Sequence, residues 1–176
     1  MRIDKKTELT EKSALAFFGR YLKEQKWKYN YSGDKLTIYS GLNSQGMLWD
    51  FSAYARSRGP GVFLLGISSF IPNKALPDRR AACAELLTRL NFSLSSGCFE
   101  MNYEDGEIRF RTGVIIHGTD ITPGIVEHLV RSNLLIVEQH HKAIMSVLYS
   151  EVTPEAAIKP KEDATEPKTE PRLEFN

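Results

Sequence analysis

The run Val-Phe-Leu-Leu-Gly-Ile-Ser-Ser-Phe-Ile at residues 62–71 limits the possible folds more than any other segment. It is too short to cross a membrane and reads as a strand largely apolar on both faces. Such a strand needs cover twice, once from a helix layer and once from a loop, the tail or a second subunit. The preceding segment behaves differently. Met47, Trp49, Phe51, Ala53 and Ala55 fall on one parity, and Asp50, Ser52, Tyr54 and Arg56 on the other. That alternation fits a half-buried antiparallel strand, and Arg58-Gly59-Pro60-Gly61 supplies the turn between the two.

Around this pair the pattern switches between periods of two and 3.6. A helix is expected over residues 10–27, with Thr10 as N-cap, Glu11 in the first turn and a stripe of Ala14, Phe17, Phe18, Tyr21 and Leu22. Strand-like runs at 28–31 and 35–42 flank the turn Ser32-Gly33-Asp34, and Asn43-Ser44-Gln45-Gly46 turns the chain again. Asp78 is expected to cap a second helix ending near Phe92, with Ala82, Cys83, Leu86, Leu87 and Leu90 inward. Asp105-Gly106 marks a hairpin joining 98–103 to 107–117, with Ile108, Phe110, Val114 and Ile116 on one face and Arg109 and Arg111 on the other. Thr122-Pro123 opens a last helical region. Its stripes, first Ile125, Val126, Leu129 and Val130, then Leu134 through Val137 with Ile144, Val147 and Leu148, predict two helices bent near Ser132-Asn133. A short turn at 154–158 follows. Consecutive hairpins with helices before and after them give an α+β fold, an antiparallel sheet with helices packed on it. Residues 1–158 form one domain, and 159–176, rich in Lys, Glu, Thr and Pro, read as a disordered charged tail.

Composition removes several functions. Lys and Arg number 23 against 22 Asp and Glu, so the net charge of +1 gives no bulk attraction to nucleic acid or anionic membrane. The first residues lack the apolar run of a signal peptide, and no apolar stretch nears the roughly 20 residues of a membrane span. Cys83 and Cys98 suit two reduced thiols, so the expected compartment is cytoplasmic.

No catalytic or metal-binding constellation stands out, and neither cofactor nor metal is expected. His140 and His141 are adjacent on a helix and so point about 100° apart, unlike an HxxxH pair. His117 and His128 have no carboxylate or Cys at ligand spacing. An enzyme site is left as an alternative, assembled from scattered residues such as Asp50, Glu100 and His117. Nucleic-acid or small-ligand binding is another, with Arg56, Arg58, Arg79, Arg80, Arg109 and Arg111 gathered near Tyr54. The favoured expectation is protein binding through an apolar patch of Trp49, Phe51, Phe63, Leu65 and Ile67, which would receive a partner polypeptide or a second copy in a homodimer.

Leu90-Asn91, Gly97, Phe99, Glu100, Asp105-Gly106, Ile108 and Phe110-Arg111 together resemble the YbjN family of bacterial proteins. Pro77 through Arg80 and Pro154-Glu155-Ala156-Ala157-Ile158 resemble it as well, so the likeness spans about 10–158. It implies an α-β-β-β-α-β-β-α domain similar to type III secretion chaperones, often dimeric, with no catalytic residues to carry over. The regulator description attached to that family agrees with a non-enzymatic, chaperone-like or regulatory role. The chain departs from the family order by one more strand-like run before Met47, which leaves the edge of the sheet open to question. Because no apolar stripe enters residues 159–176, deleting them is expected to leave the melting temperature almost unchanged. A large drop in a thermal scan would mean that the tail packs on the domain.

Overall fold

Thr10 starts the fold by capping helix α1 (Glu11–Glu24): its hydroxyl accepts from the Ser13 N–H at 3.2 Å, and Ser13 Oγ accepts from the Thr10 N–H at 2.8 Å. This reciprocal pair satisfies two of the donors that a helix start leaves open. The computed structural model describes residues 9–44, 47–118 and 121–158. After α1 come β1 (Tyr29–Tyr31), β2 (Thr37–Ser44), β3 (Met47–Gly59) and β4 (Val62–Phe70). Helix α2 (Arg80–Ser93) follows, then β5 (Cys98–Met101), β6 (Ile108–His117), α3 (Pro123–Tyr149) and the short α4 (Pro154–Ile158). The strands form one antiparallel sheet, ordered β1-β2-β3-β4-β6-β5. Two strands, β1 and β2, precede β3, and β1 is the edge strand of the sheet. Of the turn expected at Asn43-Ser44-Gln45-Gly46, Asn43 and Ser44 belong to β2, while 45–46 and the tail at 159–176 lie outside the described residues.

Register places Ile38, Ala53, Ile67 and Thr112 side by side across four strands. Period-two alternation then puts Phe51, Ala55, Phe63, Leu65, Phe110 and Ile116 on that same face, all of them buried. All four helices lie on this side. Helix α1 packs on β2, β3 and β4; α3 packs on β4 and β6; α2 packs on β5; and α4 rests on α2 and α3. Two apolar clusters result. One joins α1, the middle of the sheet and Val126, Leu129, Val130 and Leu134 of α3. The other joins α2, Trp49, Phe99, Ile108 and Phe110 with Val137, Ile144, Val147 and Leu148 of α3.

Helix α3 therefore serves both clusters, and Asn133 sits where they meet. It is fully buried. Its Oδ1 accepts from the Ser69 hydroxyl at 2.5 Å, and its Nδ2 donates to Thr112 Oγ1 at 3.1 Å and to the carbonyls of Phe110 and Ile67 at 3.3 and 3.4 Å. This explains why the expected bend near Ser132-Asn133 is absent: α3 is a single 27-residue helix. Asn is disfavoured inside helices because its amide competes for nearby backbone. Here the amide is fully used by the sheet, and the Ser132 hydroxyl bonds back to the His128 carbonyl without breaking the helix.

One further expectation changes. Asp78 does not cap α2; Arg79 holds the cap position and makes no side-chain cap bond. Its guanidinium instead reaches the far end of α3, donating to the Val147 carbonyl at 2.7 and 3.0 Å and to Ser150 O. On residues 62–71 the helices cover one face as expected, and among the described residues no further layer lies on the other. On the side away from the helices β4 carries Val62, Leu64 and Phe70, half-buried among neighbouring side chains, with Gly66 and Ser68 between them.

Asn133→Leu is expected to cost about 1–3 kcal/mol by orphaning buried hydroxyls and carbonyls, whereas Ser132→Ala stays near neutral; urea denaturation midpoints would compare them. His141 stacks edge-on against Trp49 at 4.7 Å between ring centroids and His140 against Phe99 at 5.9 Å, and burial lowers both imidazole pKa values. The folded chain thus holds them neutral while the unfolded chain takes up protons as pH falls through about 6.5. Their contribution is complete above that value and declines from there down through the lowered folded pKa values. Stability profiled between pH 7 and 5 should fall on the acid side, and the His140→Phe, His141→Phe double variant should flatten the slope. An unchanged slope would contradict this.

Candidate interaction surface

The sheet's second face carries the side chains that the core does not use. Among the described residues no helix lies on it. Register sets its side chains in rows across the strands. The central row runs Tyr54, Gly66, Gly113; one neighbouring row runs Arg56, Leu64, Ile115, and the other runs Tyr39, Ser52, Ser68, Arg111, Cys98. Beyond that lie Gly41, Asp50, Phe70, Arg109 and Glu100. Tyr39 is 52% exposed and Ile115 48%. Leu64 and Phe70 are half-buried.

Gly66 is required by what lies over it. A Cβ there would stand 2.3 Å from Tyr54 Cζ, so the phenol ring lies directly across the glycine backbone. Arg56 stacks beside that ring, its guanidinium carbon 5.5 Å from the centroid. Its Nη1 donates to the Leu36 carbonyl at 2.7 Å and its Nη2 to Thr37 Oγ1 at 3.1 Å, which ties β3 to β2. Toward the other edge Glu100 is held between two arginines: Arg109 Nε donates to Oε2 at 2.9 Å, and Arg111 Nε to Oε1 at 2.9 Å. These bonds, Arg111's above all, keep the Glu100 carboxyl below its usual range and raise the Arg111 guanidinium. Burial, with the Glu100 charge 3.6 Å away, pushes the Cys98 thiol up, and burial raises Cys83 too. Neither is an activated thiolate.

The structure sorts the sequence candidates. Trp49, Phe51, Phe63, Leu65 and Ile67 lie on the helix side and are 0–4% exposed. They fill the chain's own core, so the expected apolar patch is not an open surface at these residues. Their burial follows from parity: the helices cover the face these residues share. Of the six arginines, Arg56, Arg109 and Arg111 share the open face, while Arg58 is the unpaired residue of the irregularity between Ser57 and Gly59. Arg79 and Arg80 stand at α2 instead, with Arg80 donating to the carbonyls of Ala75 and Tyr103.

Asp50 and Glu100 also point to the open face but lie three strand spacings apart, about 14 Å. His117 is eight residues beyond Arg109 along β6, about 26 Å away. The three do not converge. Asp50 borders a cleft of about 480 Å³ shared with Lys28, Asn30, Tyr39 and Phe70, while Glu100 borders a separate hollow of about 450 Å³ with Asn102, Glu107 and Arg109. Among the described residues no three His, Cys, Asp or Glu side chains gather as a metal site, and no helix is long and apolar enough to cross a membrane.

Sequence reasoning overlooked Tyr39, Leu64, Phe70 and Ile115 as surface residues. The signal was present in the alternation of β3, because the parity of Tyr54 and Arg56, carried through the turn into β4, selects Leu64 and Phe70.

Comparison with curated proteins returned no match. A solved structure, that of YbjN from E. coli, described as a putative transcription regulator, aligns with a TM-score of 0.45 and 12% identity over 76% of this chain and 88% of that one. The family model for YbjN, "putative bacterial sensory transduction regulator", matches residues 20–145, the span from within α1 to late in α3. On that match, the chain belongs to the YbjN family.

Proposed function

We propose that the chain is a non-enzymatic regulator, chaperone-like in its action, that binds another polypeptide across the open face of its sheet. One observation carries the reading: a sheet that, among the described residues, has helices on one side only keeps aromatic and aliphatic groups, Tyr39, Leu64 and Phe70, beside arginines on the other. Aromatic, aliphatic and Arg side chains are the usual anchors of protein interfaces, and here they alternate with polar rows that limit non-specific association. The family description as a regulator agrees in kind. So does the absence of convergence among the charged residues weighed as a catalytic set.

The three arginines on this face, Arg56, Arg109 and Arg111, support a second reading, nucleic-acid binding. It is the weaker one, because Arg109 and Arg111 share the Glu100 carboxylate, which offsets one of their two charges, and Arg56 is turned onto the Leu36 carbonyl. Retention of DNA or RNA in a low-salt filter assay that fades with added salt would favour it.

The test of the main reading is the double variant Tyr39→Ser, Leu64→Gln. Quantitative pull-downs from native cells should lose the specifically captured polypeptide by roughly tenfold or more, with the melting temperature nearly unchanged. Full retention of every captured protein by a folded variant would overturn it.

A further inference from the structure

Past Arg111 the outer margin of β6 is an unpaired strand edge among the described residues. Backbone groups of an antiparallel strand point alternately to its two neighbours. On β6 the even residues face β4: Ile108 O accepts from Ile71 N at 2.9 Å, and Gly118 N donates to Gly61 O at 2.7 Å. The odd residues face β5, as Glu107 O does in accepting from Asn102 N at 2.9 Å. Strand β5 is the last in the sheet, and its pairing with β6 ends at Cys98 opposite Arg111. The N–H and C=O groups of Gly113, Ile115 and His117 therefore point outward with no strand beside them among the described residues, and all three residues are exposed.

Exposed edges are commonly blunted by Lys, Pro, a bulge or an inward charge. The segment Gly-Val-Ile-Ile-His at 113–117 has none of these, and its pairing with β4 is regular. Gly97 and Gly118, with φ of 77° and 67°, turn the chain off the strand line at the two ends of the segment and leave it clear.

We propose that two copies of this chain pair antiparallel along residues 113–117, with a two-fold axis at Ile115. The edge is self-complementary in that register. Ile115 faces Ile115 of the second copy on the open side of the sheet, Gly113 faces His117, and Val114 faces Ile116 on the helix side. No like charges oppose each other, and about six N–H···O=C bonds form. The two six-stranded sheets join into one, and their open faces become continuous. The pairing uses the edge and not the face, so it stands apart from the partner-binding reading and can fail without it.

Light scattering on the full chain tests the pairing. The expected mass is twice the 20.0 kDa of one chain. Ile115→Pro removes only an outward-facing N–H, so it should raise the dimer dissociation constant more than tenfold while leaving the circular dichroism intact; Ile115→Lys serves if the proline variant fails to fold. In a Cys98→Ser background, Ile115→Cys copies should oxidise to a linked dimer, because directly paired Cα atoms lie about 5.5 Å apart. His117→Cys copies, held about 14 Å apart, should not. A monomer at all micromolar concentrations overturns the proposal. So does a dimer indifferent to both Ile115 variants, or linkage at 117 as strong as at 115. A monomer that pairs this edge with an extended peptide would overturn the choice of a second copy.

Discussion

The position of α3 depends on one buried amide. Asn133 contacts Ser69 on β4, Thr112 on β6 and the carbonyls of both strands. Apolar packing alone would let a 27-residue helix slide or roll over a sheet of Val, Ile and Phe side chains, since dispersion and burial are not directional. A fully satisfied polar group inside an apolar layer removes that freedom, because every shifted register leaves the amide and its partners unpaired. The two apolar clusters can then be built at either end of one helix.

With α3 fixed, the rest follows from which sides are covered. The helices occupy one face of the sheet and absorb the large apolar side chains of a single parity. The other parity has to be compatible with water yet keep the strands together. It is, through Tyr54 laid across Gly66, Arg56 bonded back to the Leu36 carbonyl, and Glu100 clasped by Arg109 and Arg111. These contacts organise the face without closing it. Exposed ion pairs of this kind add little to stability, and the aromatic and aliphatic groups between them remain available.

Much of this was legible in residue order. The stripe of α1, the Thr10 cap, the alternation of β3 and the Asp105-Gly106 hairpin are local patterns, and local patterns carry periodicity and turn chemistry directly. What escaped was non-local. Ser132-Asn133 reads as a helix break until Ser69 and Thr112, more than 20 residues away along the chain, are known to receive the amide. Arg79 reads as a helix-start neighbour until the end of α3 is known to lie beside it. The apolar patch centred on Trp49 and Phe51 failed for a related reason: period two separates the faces of a strand but does not say which face the helices will take. Residues 62–71 added to the difficulty, because Leu64 and Phe70 look like core when only hydropathy is read.

The central claim is that one face of this sheet is covered by helices and the other is open. Thiol labelling tests it most directly. Single cysteines at Leu64→Cys and Leu65→Cys, in a chain whose native Cys83 and Cys98 are replaced by serine, put adjacent residues on opposite faces. The account predicts fast labelling at 64 under native conditions and strong protection at 65, lifted only by denaturant. Equal protection at both positions would mean that something covers the second face, and the sheet would no longer be a surface open to a partner.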